Sequence, residues 1–183
     1  MFLSQRIINR RNFILIVILF LLFLGAFQYI FYLMRKESGI STILDLYFHY
    51  TPDDAYSLIG YYGPEGRKIF LWGLLIDTFF PIVYGLFLWM CITFLAIHIH
   101  LSFSKATLNI LQLLPVLAVV LDYIENIFEV WMTLGYPQSV KSIAPISGWV
   151  TTFKWITIYA NVFVISFLVL IYLFGKLSGN DVE

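Results

Sequence analysis

The sequence predicts an all-α membrane protein, a single domain of four transmembrane helices packed as a bundle, with a short amphipathic helical segment between the first and second spans. Hydrophobic residues make up 61% of the 183 residues and charged residues only 12%, about half the charged fraction of a soluble domain. Four apolar runs are long enough to cross the hydrocarbon core of a bilayer. The connections between them are polar and contain residues that typically start or stop helices.

The first two spans are predicted over about residues 13–34 and 68–97. The second span contains Asp77 and, one turn later, Pro81. Because proline has no N–H to donate to the carbonyl of Asp77, the second helix should kink one turn from that carboxylate.

The longest connection, about residues 41–62, is predicted to contain short interfacial helices. Ser41 is a candidate N-cap for an amphipathic stretch, and the sequence TPDD at 51–54 is a strong helix start, with a threonine cap, a proline and two acids. Amphipathic rings typically sit at the headgroup layer, which predicts that layer for the tyrosines of the segment. These are Tyr47, Tyr50, Tyr56, Tyr61 and Tyr62.

The third span is predicted over about residues 108–134, after a short connection. Ser104 or Thr107 can cap its N-terminus. Gly135 fits a left-handed helix stop, because glycine adopts positive φ without steric cost.

The fourth span is predicted over about residues 149–174, with Ser147 as its N-cap. Lys154, Thr157 and Asn161 follow the i, i+3, i+7 spacing, so they share one face of this helix. An inward-facing Lys154 would reach the acids of the third span.

The third span carries the most informative pattern in the chain. Asp122, Glu125, Asn126 and Glu129 follow the i, i+3, i+4, i+7 rule, so all four lie on one helical face. One carboxylate at the centre of a span costs about 2.5 to 3.5 kcal/mol on insertion scales, so this face must meet protein or water rather than lipid. Ionisable residues inside a span are a functional hypothesis by default.

With Asp77, these carboxyl groups outnumber the bases that could meet them, Lys154 and, from the rim, Arg67. Such an excess requires carboxyl groups that keep their protons, a bound cation, or a cationic or polyhydroxyl ligand. We expect an intramembrane polar pocket in the half of the bilayer nearer the long connection. Its candidate catalytic residues are Asp122, Glu125 and Asp77, as acid and base groups. Its candidate ligand-binding residues are Asn126, Lys154, Tyr84, Glu129, Arg67 and Asn161.

Three classes of function stay open. The preferred one is an integral membrane protein that binds a lipid or small amphipathic ligand in this pocket; whether it also acts on that ligand by carboxylate acid–base chemistry is undecided. In a structural or assembly protein the cluster would only hold the bundle together, through contacts that average about 0.6 kcal/mol each. A proton- or cation-coupled carrier would require an oligomer, because the other half of the bilayer meets only apolar positions.

No sequence motif assigns a cofactor or a metal. Gly-x-Ser-x-Gly, His-Glu-x-x-His and P-loop motifs are absent from the sequence. Carboxylates suit Mg²⁺, Mn²⁺ or Ca²⁺, but the Glu-x-x-His pairs of helical di-metal proteins are absent, so the identity of any metal is unknown. Eleven basic and eleven acidic residues cancel, which predicts no nucleic-acid partner. The expected partners are the lipid bilayer, a lipid or isoprenoid-like ligand and further copies of the chain.

The lysine and arginine counts leave the orientation nearly balanced. With the N-terminus inside, five basic residues lie on each side. The inner five are Arg6, Arg10, Arg11, Lys105 and Lys176, and the outer five are Arg35, Lys36, Arg67, Lys68 and Lys141. Since the first span usually dominates and three arginines precede it, we expect both termini on the cytoplasmic side of the cell membrane.

Two motifs carry a resemblance to a family. These are LLIDTFFPIVYG in the second span and LLPVLAVVLDYIENI in the third, accompanied by YGPEGRK before the second span and the lysine of TTFKW. With these features the chain, over about residues 56–159, resembles an uncharacterised family of small four-span bacterial integral membrane proteins. The resemblance implies a compact bundle and transfers no activity.

Overall fold

The computed structural model describes residues 9–99, 103–138 and 142–177, and these residues form helices and connections without any strand. The helices are α1 (Arg10–Ser38), α2 (Pro52–Tyr61), α3 (Gly63–Asp77), α4 (Phe80–His98), α5 (Lys105–Gly135) and α6 (Ile143–Leu177), with a 3₁₀ turn at Leu44–Leu46. Four of them, α1, α4, α5 and α6, are long and apolar enough to cross a membrane. The predicted four-span integral membrane fold is therefore confirmed. Arg6 and Lys141, which the orientation count uses, lie outside the described residues.

The bundle is built on the long pair α5 and α6, which pack most extensively against each other. Helix α4 lies against both of them, and α1 packs on the outer side against α3 and α4. Aromatic rings line that outer contact, with centroids 5.3 Å apart for Phe20 and Phe87 and 5.1 Å apart for Phe27 and Phe80. The outward surfaces of the spans expose many large apolar side chains, as a lipid environment requires.

Local capping signals explain where several helices begin and end. Thr51 caps α2 in a reciprocal capping box with Asp54, as the sequence predicts. Ser104 caps α5 by accepting the backbone N–H of Thr107 at 3.1 Å. Helix α1 ends at Gly39, whose φ of 70° is the left-handed conformation that favours glycine.

Two predicted caps are wrong. Gly135 is the last residue of α5 and has no positive φ; the chain leaves the helix at Tyr136, which adopts an extended ψ of 136° because a proline follows it. Ser147 lies inside α6, which begins earlier than predicted, at Ile143. Its hydroxyl instead faces Tyr50, with the two oxygens 2.6 Å apart.

The second span is two helices rather than one kinked helix. Helix α3 ends at Asp77 and α4 begins at Phe80, so Thr78 and Phe79 interrupt the span. Pro81 lies in the first turn of α4, where its missing N–H costs no helical hydrogen bond. The carbonyl of Thr78 accepts the hydroxyl of Tyr123 at 2.8 Å, which satisfies one of the backbone groups that the interruption frees.

The connection between α1 and α2 packs onto the bundle. Tyr50 and Tyr62 are each only 2% exposed and belong to an apolar core with Phe70 and Met132, so these two rings pack against protein, and their depth in the bilayer stays a prediction. Burial and then the nearby charge of Glu129 raise the pKa of both phenols. The stretch predicted to follow a Ser41 cap forms only the 3₁₀ turn.

Candidate functional site

Lys154 lies at the centre of a buried acidic cluster. Helix α6 carries its side chain inward, where it is 3% exposed. The ammonium group forms ion pairs with the carboxylates of Asp45 and Glu125, and its Nζ lies 3.8 Å from Oδ1 of Asp122. Lys154 faces inward and reaches an acid of the third span, Glu125, which is one of the arrangements that the sequence leaves open.

Asp45 is the member of this cluster that sequence reasoning missed. It comes from the 3₁₀ turn after α1, which is anchored by the buried side chain of Leu44. The backbone carbonyl of Asp45 also accepts the indole N–H of Trp155 at 3.1 Å. The only local indication of its role in the sequence is that it is the one acid in an otherwise apolar stretch, TILDLYF. Helical periodicity could not show that this stretch contacts α6.

Two neutral hydroxyl groups donate hydrogen bonds to the acids next to Lys154. Tyr84 in α4 donates its hydroxyl to Oδ2 of Asp122 at 2.7 Å. Thr151 in α6 donates to Oε1 of Glu125 at 2.5 Å. Hydrogen bonds to a charged group contribute about 1.5 to 3 kcal/mol, so these contacts help to hold both carboxylates in place.

Asp77 lies at the interruption of the second span. It is the last residue of α3, and its Oδ2 accepts Nδ2 of Asn126 at 2.6 Å. Asn126 is one turn from Asp122 on α5. Asp77 and Tyr84, which contact these two residues, therefore bind to consecutive turns of the same helix. The second span is thus tied to α5 just before and just after its interruption.

Glu129 is fully buried, yet neither of its carboxyl oxygens has a hydrogen-bond partner among the residues that the structure describes. The hydroxyl groups of Tyr62, which lies near it, and of Thr133, one turn further along α5, are also buried. Oδ1 of Asp122 and Oδ1 of Asn126 are buried and, like the Glu129 oxygens, have no hydrogen-bond partner within the described part of the chain. Several buried acceptors on the polar face of α5 therefore lack a hydrogen bond from the described residues.

Arg67 and Asn161 do not join the cluster. The guanidinium of Arg67 lies 4.5 Å from the ring centroid of Tyr136 and donates to the carbonyl of Ile59 at 3.4 Å. Asn161 donates to the carbonyl of Thr157 within its own helix at 2.8 Å. These two residues are predicted ligand-binding residues that the structure places outside the acidic cluster.

Comparisons with known protein families, with curated proteins and with solved structures gave no match. The resemblance to a four-span bacterial family therefore stays a prediction.

The charge balance of the cluster is strongly acidic. Asp45, Asp122 and Glu125 bring carboxylate oxygens within 4.8 Å of one another, which is close enough to hold a metal ion. The ammonium of Lys154 forms ion pairs with two of these carboxylates, those of Asp45 and Glu125, and so competes with a metal for them. As placed, these residues fit an ammonium group better than a divalent cation.

Proposed function

We propose that this integral membrane protein binds the polar head of a lipid or small amphipathic ligand in the acidic cluster. The observation that carries the proposal is the set of buried acceptors without donors on α5, which belong to Asp122, Asn126 and Glu129. A buried polar group left unsatisfied costs about 1 to 3 kcal/mol, and charged groups cost more. A ligand that brings donors would remove this cost.

The position of the cluster supports an amphipathic ligand. Asp77 is half-buried, and the side chain of Asp45 is 28% exposed, so the cluster is accessible at its edge. Beside Asp77, Phe79 exposes 60% of its surface on the outside of the bundle. Polar groups and an apolar outer surface therefore meet at the interruption between α3 and α4, as a ligand with a polar head and an apolar chain requires.

If the protein also transforms its ligand, Asp77 is the better candidate for acid–base chemistry. Glu125 is engaged with both Lys154 and Thr151, whereas Asp77 has only Asn126 as a hydrogen-bond partner in the described residues. A group that transfers a proton must be reachable by the ligand, and Asp77 is the more accessible.

A purely structural role is the second candidate, and the ion pairs of Lys154 favour it. They join the connection after α1 to α5 and α6, so they would hold the bundle together even without a ligand. A carrier receives no such support, because the second core among the described residues, around Ile92, Leu95 and Leu168, is apolar.

Native mass spectrometry and lipid extraction of the purified protein test the proposal. The wild type and Glu65→Gln, which changes an exposed acid paired with Lys68, should retain the same bound lipid or amphiphile. The double variant Asp77→Asn and Asp122→Asn keeps the hydrogen-bond geometry but loses two charges, and it should lose the ligand. If the double variant folds and retains the same molecules as the wild type, the ligand-binding proposal is wrong and the structural role is left.

We also propose that both ends of the bundle face the cytoplasm and that the membrane is the cell membrane. Four spans support ends on one side, and the three arginines ahead of the first apolar run support an inside location. In a Cys91→Ser background, a cysteine at Glu37 should react with an impermeant thiol reagent on intact cells, whereas one at Lys105 should react only after lysis. The reverse labelling pattern would overturn this orientation.

A further inference from the structure

Opposite the interruption of the second span, some side-chain oxygens on the polar face of α5 lack hydrogen bonds. On one side of the interruption Asn126 donates to Asp77, and on the other side Tyr84 donates to Asp122. The remaining oxygens of Asn126 and Asp122, both Oδ1, have no hydrogen-bond partner among the described residues, and the Lys154 ammonium lies 3.8 Å from that of Asp122. Both side chains are more than nine-tenths buried, at 7% and 4% exposed.

These remaining atoms are all acceptors. An amide oxygen and a carboxylate oxygen can only accept hydrogen bonds, so the group that would satisfy them must be a donor. One N–H of Asn126 and the hydroxyl of Tyr84 are already used by Asp77 and Asp122. A ligand head that is itself mainly an acceptor, such as a phosphate or a carboxylate, would leave these oxygens without donors and would be repelled by the acids.

The cluster already shows which donor its acids can bind. Asp45 and Glu125 bind the primary ammonium of Lys154, with Asp122 3.8 Å away. This tethered ammonium leaves Asp77 and Glu129 without a basic partner among the described residues. A second ammonium would offset one more acid, and its three N–H donors would match three acceptors.

We propose that the ligand carries a primary ammonium head, which binds between Asp77, Asn126 and Asp122 at the interruption between α3 and α4. The apolar chain of the ligand lies outside the bundle along the exposed side chains next to the interruption. These are Leu75, Phe79 and Ile82, which are 53%, 60% and 50% exposed. The inference rests on the proposed ligand-binding function and names its chemical class and its point of entry.

Three probes of equal chain length separate charge from hydrogen bonding. A long-chain primary alkylamine has both a charge and donors, the corresponding alkyltrimethylammonium has only the charge, and the alkyl alcohol has only one donor. Each radiolabelled probe is titrated into the full-length protein in phosphatidylcholine nanodiscs, with empty nanodiscs to measure partitioning. The amine should bind saturably and at least about tenfold more tightly than either analogue, since it alone makes charge-assisted hydrogen bonds.

Matched variants locate the site. Asp77→Asn should weaken amine binding by about tenfold or more, and Asn126→Leu should weaken it similarly while leaving every charge in place. Glu65→Gln, at the exposed acid of α3, should bind the amine like the wild type. If Asp77→Asn does not fold, Asn126→Leu and the three-probe comparison still decide the outcome.

Several results would overturn the inference. If the amine and the trimethylammonium probe bind with equal affinity, the site recognises only the positive charge. If the alcohol binds as tightly as the amine, the charge is not needed. Amine binding that the variants leave unchanged would place the amine elsewhere. If lipid extraction identifies a bound lipid without an amine, the ammonium inference fails while the proposed ligand-binding function stands. If no molecule depends on the cluster, both fail.

Discussion

Lys154 in α6 and Asp45 in the connection after α1 form an ion pair between residues 109 positions apart in the sequence. This pair fastens the connection across the polar face of the bundle. Neighbouring contacts act in the same direction, since His49 lies 2.9 Å from the hydroxyl of Thr152 and Tyr50 bonds to Ser147. The connection is therefore a cover over the acidic cluster.

Removing the central base should destabilise the protein strongly. Lys154→Met leaves Glu125 buried without its counter-charge, and breaking a buried pair in this way costs about 3 to 5 kcal/mol. The melting temperature in detergent should fall, and the double variant Lys154→Met with Glu125→Gln should recover part of the loss. Lys68→Met, which breaks an exposed pair with Glu65, should change stability by less than about 1 kcal/mol. A silent Lys154→Met would show that the buried pairs contribute nothing to stability.

Substitution by methionine should have opposite effects on stability at two acids that lie one turn apart on α5. Glu129→Met removes a buried carboxyl without partners and should stabilise the protein by about 1 to 3 kcal/mol. Glu125→Met removes a partner of Lys154 and should destabilise it. Thermal unfolding of both variants in the same detergent checks the contrast. A loss of stability in Glu129→Met would mean that its carboxyl group has a bonded partner.

The cover lies so close to α6 at Gly148 that a side chain at this position would clash with it. A Cβ atom at this position would lie 2.2 Å from the backbone carbonyl oxygen of Tyr50. Gly148→Ala should therefore destabilise the protein by about 1 to 3 kcal/mol and loosen the cover. Gly25→Ala is the matched control, because a Cβ there meets nothing within 4 Å and alanine favours a helix. Hydrogen exchange over residues 44–50 should rise only in Gly148→Ala, and equal exchange in both variants would contradict this account.

The capping box of α2 should make the start of that helix sensitive to acid. Hydrogen bonds from the hydroxyl and N–H of Thr51 hold the pKa of the Asp54 carboxyl below its ordinary value of 3.8. A pKa lowered by folding stabilises the folded state above that ordinary value, and this stabilisation is lost as the pH falls through the folded value. Exchange protection factors of the first turn of α2 should therefore drop below about pH 3.8.

Asp54→Asn should give low protection in that turn at neutral pH and remove its dependence on acid. Asp53→Asn serves as the control, because Asp53 lies in the same turn but makes no capping bond to Thr51. If Asp54→Asn retained the protection of the wild type at neutral pH, the capping box would not hold this end of the helix.

The sequence by itself determined the class of the protein and the direction of its polar face. The lengths of the apolar runs predict four spans because a bilayer has a fixed thickness. The i, i+3, i+4, i+7 spacing from Asp122 to Glu129 predicts one face, and the cost of a charge in lipid leaves only an inward direction for it. In the structure all four of these side chains are buried.

Only the tertiary structure decided which groups meet that face. Asp45 contacts Lys154 because the connection folds back over α6, whereas the guanidinium of Arg67 packs against Tyr136 and does not contact the acids. Helical periodicity shows which way a side chain points, but it carries no information about what a distant part of the chain places opposite to it. The interruption at Thr78 has the same origin, since the Tyr123 hydroxyl that accommodates it comes from another helix. Such contacts depend on packing between helices, and a local pattern cannot specify them.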